Sequence, residues 1–304
     1  MDGEGVEMEI QMARDNLNIL VLLREVNDPR PPVRLVTRGA GISDRGLRRI
    51  PNPADLTALE QAILLKERLG AKVTALSVGP RRLDDLLRLA ASLGADRCIR
   101  FHDHGLDGGD PLADARVLSG ILAILSPSLV FSGSRLADRG DDPVPALAAA
   151  LGGIPCLRSV TSLSLKGDGV EALRKVDRGG RQRVVATLPA TVLFEEEPLS
   201  LYPDTDAVAA SLGARVEKWS LADLGIPFHQ VGALGAALPL ASYATPRQDP
   251  VRVVTPDASL PAFQRIISLL SGGIKAREGR QHQLGADETA GRIWQILKDE
   301  GVAT

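Results

Sequence analysis

The stretch LVFSGSRLADRGDDPVPALAAALGGIP, residues 129–155, decides how this chain is read. An apolar strand, Leu129-Val130-Phe131, runs into the small-residue turn Ser132-Gly133-Ser134. An acidic loop containing one glycine follows, Asp138-Arg139-Gly140-Asp141-Asp142, and then an apolar helix, Pro145 to Leu151, closed by Gly152-Gly153-Ile154-Pro155. A strand, a small-residue turn and a helix N-terminus in this order predict a nucleotide cradle, because backbone N–H groups and the helix dipole face one point.

The segments upstream repeat the same alternation. Leu17 to Leu23 is an apolar run too continuous for a half-exposed strand and predicts a buried, central parallel strand. A Pro-rich loop, Arg24 to Pro32, leads to a short strand of a β-excursion at Val33 to Thr37. Asn52-Pro53 opens a helix with Leu56, Leu59, Ile63 and Leu64 on one stripe, ending at Gly70. Val73 to Val78 is the next strand, closing in Gly79-Pro80; a helix from Leu83 to Leu93 stops at Gly94; Cys98 to Phe101 is a third strand; Asp114 to Leu125 is a third helix. Strands alternating with helices of this length predict βαβ units and a doubly wound, mostly parallel α/β sheet, Rossmann-like in kind.

The pattern changes after Pro155. Leu163 to Leu165, the turn Lys166-Gly167-Asp168-Gly169, and Val170 to Val176 predict a β-hairpin, followed by strands at Val184–Leu188 and Ala190–Phe194. Residues 226–258 are rich in Pro, Gly and Ala, without periodicity, and predict a linker or extended arm. Two amphipathic helices close the chain. One carries Leu260, Phe263, Ile266, Ile267 and Leu270; the other runs from about Asp287 to Glu300 with Ala290, Ile293, Ile296 and Leu297. A helix held out by a linker has little local core, so this arm is expected to pack on another subunit. The expected organisation is a flexible extension over residues 1–16, an α/β domain over 17–225, and a linker with a C-terminal helical arm over 226–304.

Composition narrows the function. With 44% hydrophobic but only 3% aromatic residues among 304, the core is built from Leu, Val, Ile and Ala, which suits helices packed on a parallel sheet. Thirty-six basic against 38 acidic residues give no electrostatic footprint for nucleic acid. Cys98 and Cys156 are far apart and outside any Cys-x-x-Cys spacing, which argues against a disulfide framework or zinc site and for a reducing compartment. His102-x-His104 reads as an exposed loop after a strand rather than a metal pair. The acidic start, Met1 to Asp15, has no apolar run, and no stretch reaches the roughly 20 apolar residues of a membrane span. A cytoplasmic protein without membrane insertion is expected. With no nucleophile–base pair, metal cluster or Gly-x-Gly-x-x-Gly fingerprint, a stand-alone enzyme is the least favoured class.

An ordered series of short motifs resembles the beta subunit of electron-transfer flavoproteins. It comprises Asn52-Pro53 with Ala58-Leu59-Glu60 and Leu65-Lys66-Glu67, then Val73 to Pro80, Ser92 to Arg97, and the whole of Val130 to Pro155. Pro189-Ala190-Thr191-Val192, Glu197-Pro198, Tyr202-Pro203, Ala222-Asp223-Leu224-Gly225 and the last helix, Asp287 to Val302, continue it. The resemblance covers roughly residues 17–225 and 274–302. It implies an adenine-nucleotide-binding α/β fold that pairs with an alpha-type subunit, which carries most contacts to a redox FAD. It also implies an AMP of structural role, or a second FAD in bifurcating relatives, and a loop that docks on a partner dehydrogenase.

Carried onto this chain, the cofactor side falls on Leu22, Asn52, Asp55, Val78, Gly79, Ser132, Gly133, Ser134, Arg135, Asp138 and Arg139, and partner docking on Glu197, Pro198, Leu199, Leu201 and Tyr202. The chain departs from the family pattern at Asp141-Asp142-Pro143, where two carboxylates and a proline align with a Thr-Gly-Gln that helps hold the nucleotide phosphate. A carboxylate repels phosphate and proline lacks the N–H donor, so AMP affinity is expected to be reduced or lost, with Arg135 or Arg139 as the compensating charge if phosphate binds. Pro29 and Ala54 stand near places where the family brings aromatic side chains to the flavin, and the lysine-rich run after the docking loop is replaced by Ala209 to Arg215, with acid upstream at Glu195 to Glu197. A dedicated partner dehydrogenase is expected from that altered charge. The leading expectation is an electron-transfer subunit that covers one side of a flavin held by its partner. The rival is a non-redox scaffold or nucleotide-binding subunit of a dehydrogenase complex.

Overall fold

The computed structural model of the protein describes residues 17–30, 36–38, 41–43, 46–238, 258–270 and 284–299. The strands are β1 (Asn18–Leu22), β2 (Glu25–Asn27), β3 (Val36–Arg38), β4 (Gly41–Ser43), β5 (Arg49–Pro51), β6 (Lys72–Val78), β7 (Arg97–Phe101), β8 (Leu129–Gly133), β9 (Arg135–Leu136), β10 (Gly140–Asp141), β11 (Cys156–Lys166), β12 (Gly169–Lys175), β13 (Arg181–Thr187), β14 (Ala190–Phe194) and β15 (Val216–Trp219). The helices are α1 (Pro53–Leu69), α2 (Asp84–Ser92), α3 (Pro111–Leu125), α4 (Val144–Leu151), α5 (Thr205–Ser211), α6 (Leu221–Leu224), α7 (Gly232–Gly235), α8 (Ala262–Leu270) and α9 (Ala286–Asp299).

Nine strands form one sheet in the order β13-β12-β11-β14-β8-β1-β6-β7-β15. From β11 to β15 every neighbouring pair is parallel; only the β11-β12-β13 end is antiparallel. This is the expected doubly wound, mostly parallel sheet. The hairpin after Pro155, where the sequence pattern changes, is continuous with the main sheet, because β11 pairs with β12 on one side and with β14 on the other.

β1 shows why its sequence is apolar throughout. Ile19 and Val21 face one layer, with Leu59 and Ile63 of α1 and Leu87 of α2. Leu20 and Leu22 face the other, with Leu118 and Ile121 of α3. A strand covered by helices on both faces must be hydrophobic at successive positions. Fully burying each Leu or Ile contributes about 1.5–3 kcal/mol. Phe131 and Phe194 meet edge to face at 5.0 Å, among the few aromatic contacts in an aliphatic core.

Helix boundaries follow local chemistry. Pro53 opens α1, and Gly70, at φ 71°, ends it by donating its N–H to the Lys66 carbonyl. The third helix begins three residues earlier than Asp114, because Asp110 caps it, accepting the Ala113 N–H at 2.8 Å. Asn52 stands at the N-cap of α1 but makes no capping bond with its side chain; that side chain is used elsewhere, as described below.

The segment 226–238, expected as the start of a linker, is packed. Asp110 also accepts the N–H groups of Ala237 and Leu238, and Arg116 donates to the carbonyls of Gln230 and Gly235. Residues 239–257 lie outside the described residues. By contact the chain divides into Met1–Tyr243 and Ala244–Thr304. In the second unit α8 and α9 each expose an apolar face, including Phe263, Ile266, Ile293 and Trp294. No helix among the described residues is long and apolar enough to cross a membrane.

Candidate nucleotide cleft and docking loop

Strand order reverses at β1: the chain passes from β1 to β6 in one direction and reaches β8 on the other side. The crevice beyond the C-terminal ends at such a switch point is where α/β sheets bind ligands. A cleft of about 370 Å3 lies there, lined by Leu22 and Arg24 after β1, Val78, Gly79 and Pro80 after β6, His102 and Asp103 after β7, Asp114 and Leu118 of α3, and Arg139, Asp142 and Val144. A larger groove of about 650 Å3 lies at the opposite end of the strands, against Leu17, Leu122, Ile154 and Pro189. It is remote from the switch point.

Of the eleven residues expected on the cofactor side, Leu22, Val78, Gly79 and Arg139 line the cleft. Gly79 sits at φ 147°, and a Cβ there would lie 2.8 Å from Leu83 Cδ1, so the close turn requires glycine. The other seven build the frame. Asn52 donates to the Arg135 carbonyl at 2.9 Å and accepts the Ala137 N–H at 3.1 Å, bracing the loop after β8. Asp55 is buried and accepts the Gly133 N–H at 2.8 Å. A Cβ on Gly133 would lie 2.6 Å from Ala54 Cβ, so this glycine exists to let β8 and α1 approach. Ala54 itself is buried in that contact and offers no side-chain surface to a flavin. Ser132 is buried, and its hydroxyl has no hydrogen-bond partner. Ser134 donates to Glu195 at 2.8 Å. Burial opposes ionisation of Glu195, but the Ser134 and Ser159 hydroxyls with Arg135 and Lys175 hold its pKa below the usual carboxylate range. Asp138 accepts the Asn27 N–H at 3.0 Å.

The decisive residue went unnoticed in the sequence: Arg24. Its Nε donates to Asp55 Oδ2 at 2.9 Å, its Nη2 to Asp55 Oδ1 at 2.5 Å and to the Gly133 carbonyl at 3.0 Å, and its Nη1 is paired with Asp142 Oδ2. Burial lowers the pKa of this guanidinium, but Asp55 and Asp142 more than offset it, so the net shift is upward. Asp142 is itself buried, and its second oxygen accepts the Val144 N–H at 3.0 Å, the first N–H of α4. Arg135 and Arg139, expected as compensating charges, lie instead 3.6 Å from Asp141 and Asp138. The signal for Arg24 was weak: one arginine directly after an apolar strand.

This donor set does not fit a phosphate. Val144 N–H is taken by Asp142, and Pro143 and Pro145 on either side have no N–H to offer. The cleft presents Glu25, Asp103, Asp107, Asp114 and Asp142 against Arg24, Arg49, Arg82 and Arg139. Arg82 pairs with Glu25 at 2.6 Å. Desolvation in the cleft, with Asp110 and Asp142 nearby, pushes the Asp114 carboxyl up to about 6, against the opposing pull of Arg139. The cradle expected from residues 129–155 therefore has its shape, with Leu22, Val78, Leu106 and Leu118 as apolar walls, but not its anion seat. The seat beside Arg24 offers no free helix N–H to the phosphate of AMP or the pyrophosphate of a whole FAD, and the other arginines of the cleft, Arg49, Arg82 and Arg139, stand among its carboxylates.

The loop that the resemblance assigns to partner docking follows β14. Glu60 of α1, buried, holds it through one oxygen, which accepts Ser200 N–H at 2.7 Å, Ser200 Oγ–H at 2.6 Å and Leu201 N–H at 2.8 Å. Thr57 bonds the backbone of Glu197. Leu199, Leu201 and Tyr202 line an apolar hollow of about 170 Å3 with Leu56, Leu89 and Leu93. Leu199 and Leu201 are half-buried, Pro198 is exposed, and Tyr202 is 77% exposed. Glu197 lies 3.5 Å from Lys175. The clamp by Glu60 has no local signature in the sequence, because helix and loop are 140 residues apart.

Comparison with known proteins agrees with this architecture. The model of the electron transfer flavoprotein domain matches residues 40–224. Electron transfer flavoprotein subunit beta of Thermoanaerobacterium thermosaccharolyticum is 29% identical, over 77% of this chain and 90% of its own length. The subunit of the same name from Bacillus subtilis is 30% identical, over 69% and 81%. Protein FixA of Sinorhizobium fredii is 27% identical over 91% of this chain and all of its own length. The family model runs from β4 to α6 and takes in β6, β8 and the 197–202 loop, and the chain belongs to the electron transfer flavoprotein family as one of its beta subunits.

Proposed function

We propose that this chain pairs with an alpha-type subunit that holds a redox FAD, and that the pair carries electrons from a partner dehydrogenase toward the respiratory chain in the cytoplasm. Family membership carries association with a flavin and with an alpha-type partner. The observation that supports the rest is the similarity to beta subunits over most of the chain.

The chain's own work is positional. Its sheet offers a rigid frame, the loop at 197–202 offers Tyr202 and the half-buried Leu199 and Leu201 to a dehydrogenase, and α8 and α9 offer apolar faces to the alpha-type partner. A flavin, when bound to the pair, supplies the one- and two-electron chemistry. This chain covers one side of it and excludes water. The acidic surroundings of the docking loop, Glu195 to Glu197, favour a dedicated basic partner over many donors.

Co-expression with an alpha-type partner tests this. The purified pair is denatured and its released nucleotides are identified and counted by chromatography. One FAD per heterodimer is expected. No flavin in a stable heterodimer would replace this reading with a scaffold subunit, a reading favoured by one observation, the absence of a free anion seat in the cleft.

A further inference from the structure

The Asp142 carboxylate stands where an anion bound in this cleft would stand. One oxygen meets the Arg24 guanidinium and the other accepts the first N–H of α4. A guanidinium and a helix N-terminus are the two donors that capture phosphate at the end of a parallel sheet. Here both are satisfied from within the chain, by a side chain only 8% exposed. The other bonds of Arg24 go to Asp55 and the Gly133 carbonyl, so four of the five N–H groups of that guanidinium are taken within the chain.

We propose that Asp142 is a built-in anion that occupies the phosphate seat beside Arg24 and closes the cleft to phosphate monoesters. The cleft keeps an apolar pocket for an uncharged ring, but a nucleoside monophosphate must displace a buried, doubly bonded carboxylate and then face Asp114 across the opening. Displacement has nowhere favourable to put Asp142, since Arg135 and Arg139 already lie beside other carboxylates. The exclusion at Arg24 therefore rests on one residue and is relieved there by one substitution, while Pro143 and Pro145 continue to offer no N–H. It concerns this chain's own residues and stands or falls independently of electron transfer.

The test uses the full-length chain with AMP and inorganic phosphate as probes, by titration calorimetry and equilibrium dialysis. Wild type is expected to bind neither up to about 1 mM, the range of weak anion contacts. Asp142→Ser keeps an acceptor for the Val144 N–H and frees Arg24; it is expected to bind AMP at least about tenfold more tightly than wild type, with the gain disappearing at high salt. Wild type binding AMP in the micromolar range overturns the proposal. So does a folded Asp142→Ser chain that binds no better than wild type. Circular dichroism and a melting curve establish folding, and if Asp142→Ser fails there, Asp142→Asn, which keeps size and capping oxygen, is judged by the same tenfold criterion. Flavin content of the heterodimer is read separately, so failure here leaves the beta-subunit reading untouched, and failure of that reading leaves the anion test intact.

Discussion

The Glu60 carboxylate on α1 holds Ser200 twice, through its N–H at 2.7 Å and its hydroxyl at 2.6 Å, and so fixes the 197–202 loop to a helix 140 residues away. The same oxygen takes the Leu201 N–H, which sets the neighbouring Tyr202 at the surface. Glu60→Ala is expected to cost about 2 kcal/mol, since the freed loop donors regain water. Hydrogen exchange should show lost protection at Ser200 and Leu201 while β14 stays protected. Unchanged exchange there would mean the loop is held by its apolar contacts instead.

Gly133 carries no side chain because α1 lies against it. An added Cβ would fall 2.9 Å from the Ala54 backbone carbon, and backbone cannot step aside as a flexible side chain can. Gly133→Ala should lose about 2–3 kcal/mol in urea denaturation, in the range of overpacked cores. A variant as stable as wild type would show that β8 and α1 can separate.

Asp55 is 1% exposed and binds Arg24 through both oxygens. Asp55→Ala leaves Arg24 with Asp142 as its remaining carboxylate and the buried Gly133 N–H without its acceptor, so it is expected to destabilise by about 3–5 kcal/mol. Replacing both residues with apolar ones of similar size should cost more than the single change, because the buried Asp142 carboxylate then loses Arg24, a comparison made by chemical denaturation of the two variants. A double variant that loses less than the single would show that the Asp142 carboxylate finds water.

Asp114 gives a pH signature. Its folded pKa, raised from 3.8 to about 6, means the folded state holds the proton more tightly than the unfolded chain. This group therefore favours folding at low pH, and its contribution falls as pH rises from about 4 to 6, then levels off. Asp114→Asn should be more stable than wild type at pH 7.5, by no more than about 1 kcal/mol because the carboxyl faces the open cleft and is screened by solvent. At pH 3.5 the two melting temperatures should coincide. A constant difference across that range would assign the effect to packing.

Much of this molecule was legible from local pattern. The apolar run at Leu17 to Leu23, the Asn52-Pro53 opening and the Gly70 stop of α1, and the alternation of strand and helix through Leu151 each report on nearest neighbours, and each reappears within a few residues. The ordered motifs likewise placed the chain among beta subunits. The site depended on tertiary structure. Arg24 meets Asp55 at a separation of 31 residues and Asp142 at 118, and Glu60 meets Ser200 at 140. Periodicity records which face of an element is apolar, whereas a charge at the end of a strand takes its meaning from whatever the other strands bring beside it. The acidic loop looked hostile to phosphate from sequence; only the assembled sheet turned one of its carboxylates inward onto Arg24 and the first N–H of α4, because those were the nearest unsatisfied donors in a crevice too buried to leave them to water.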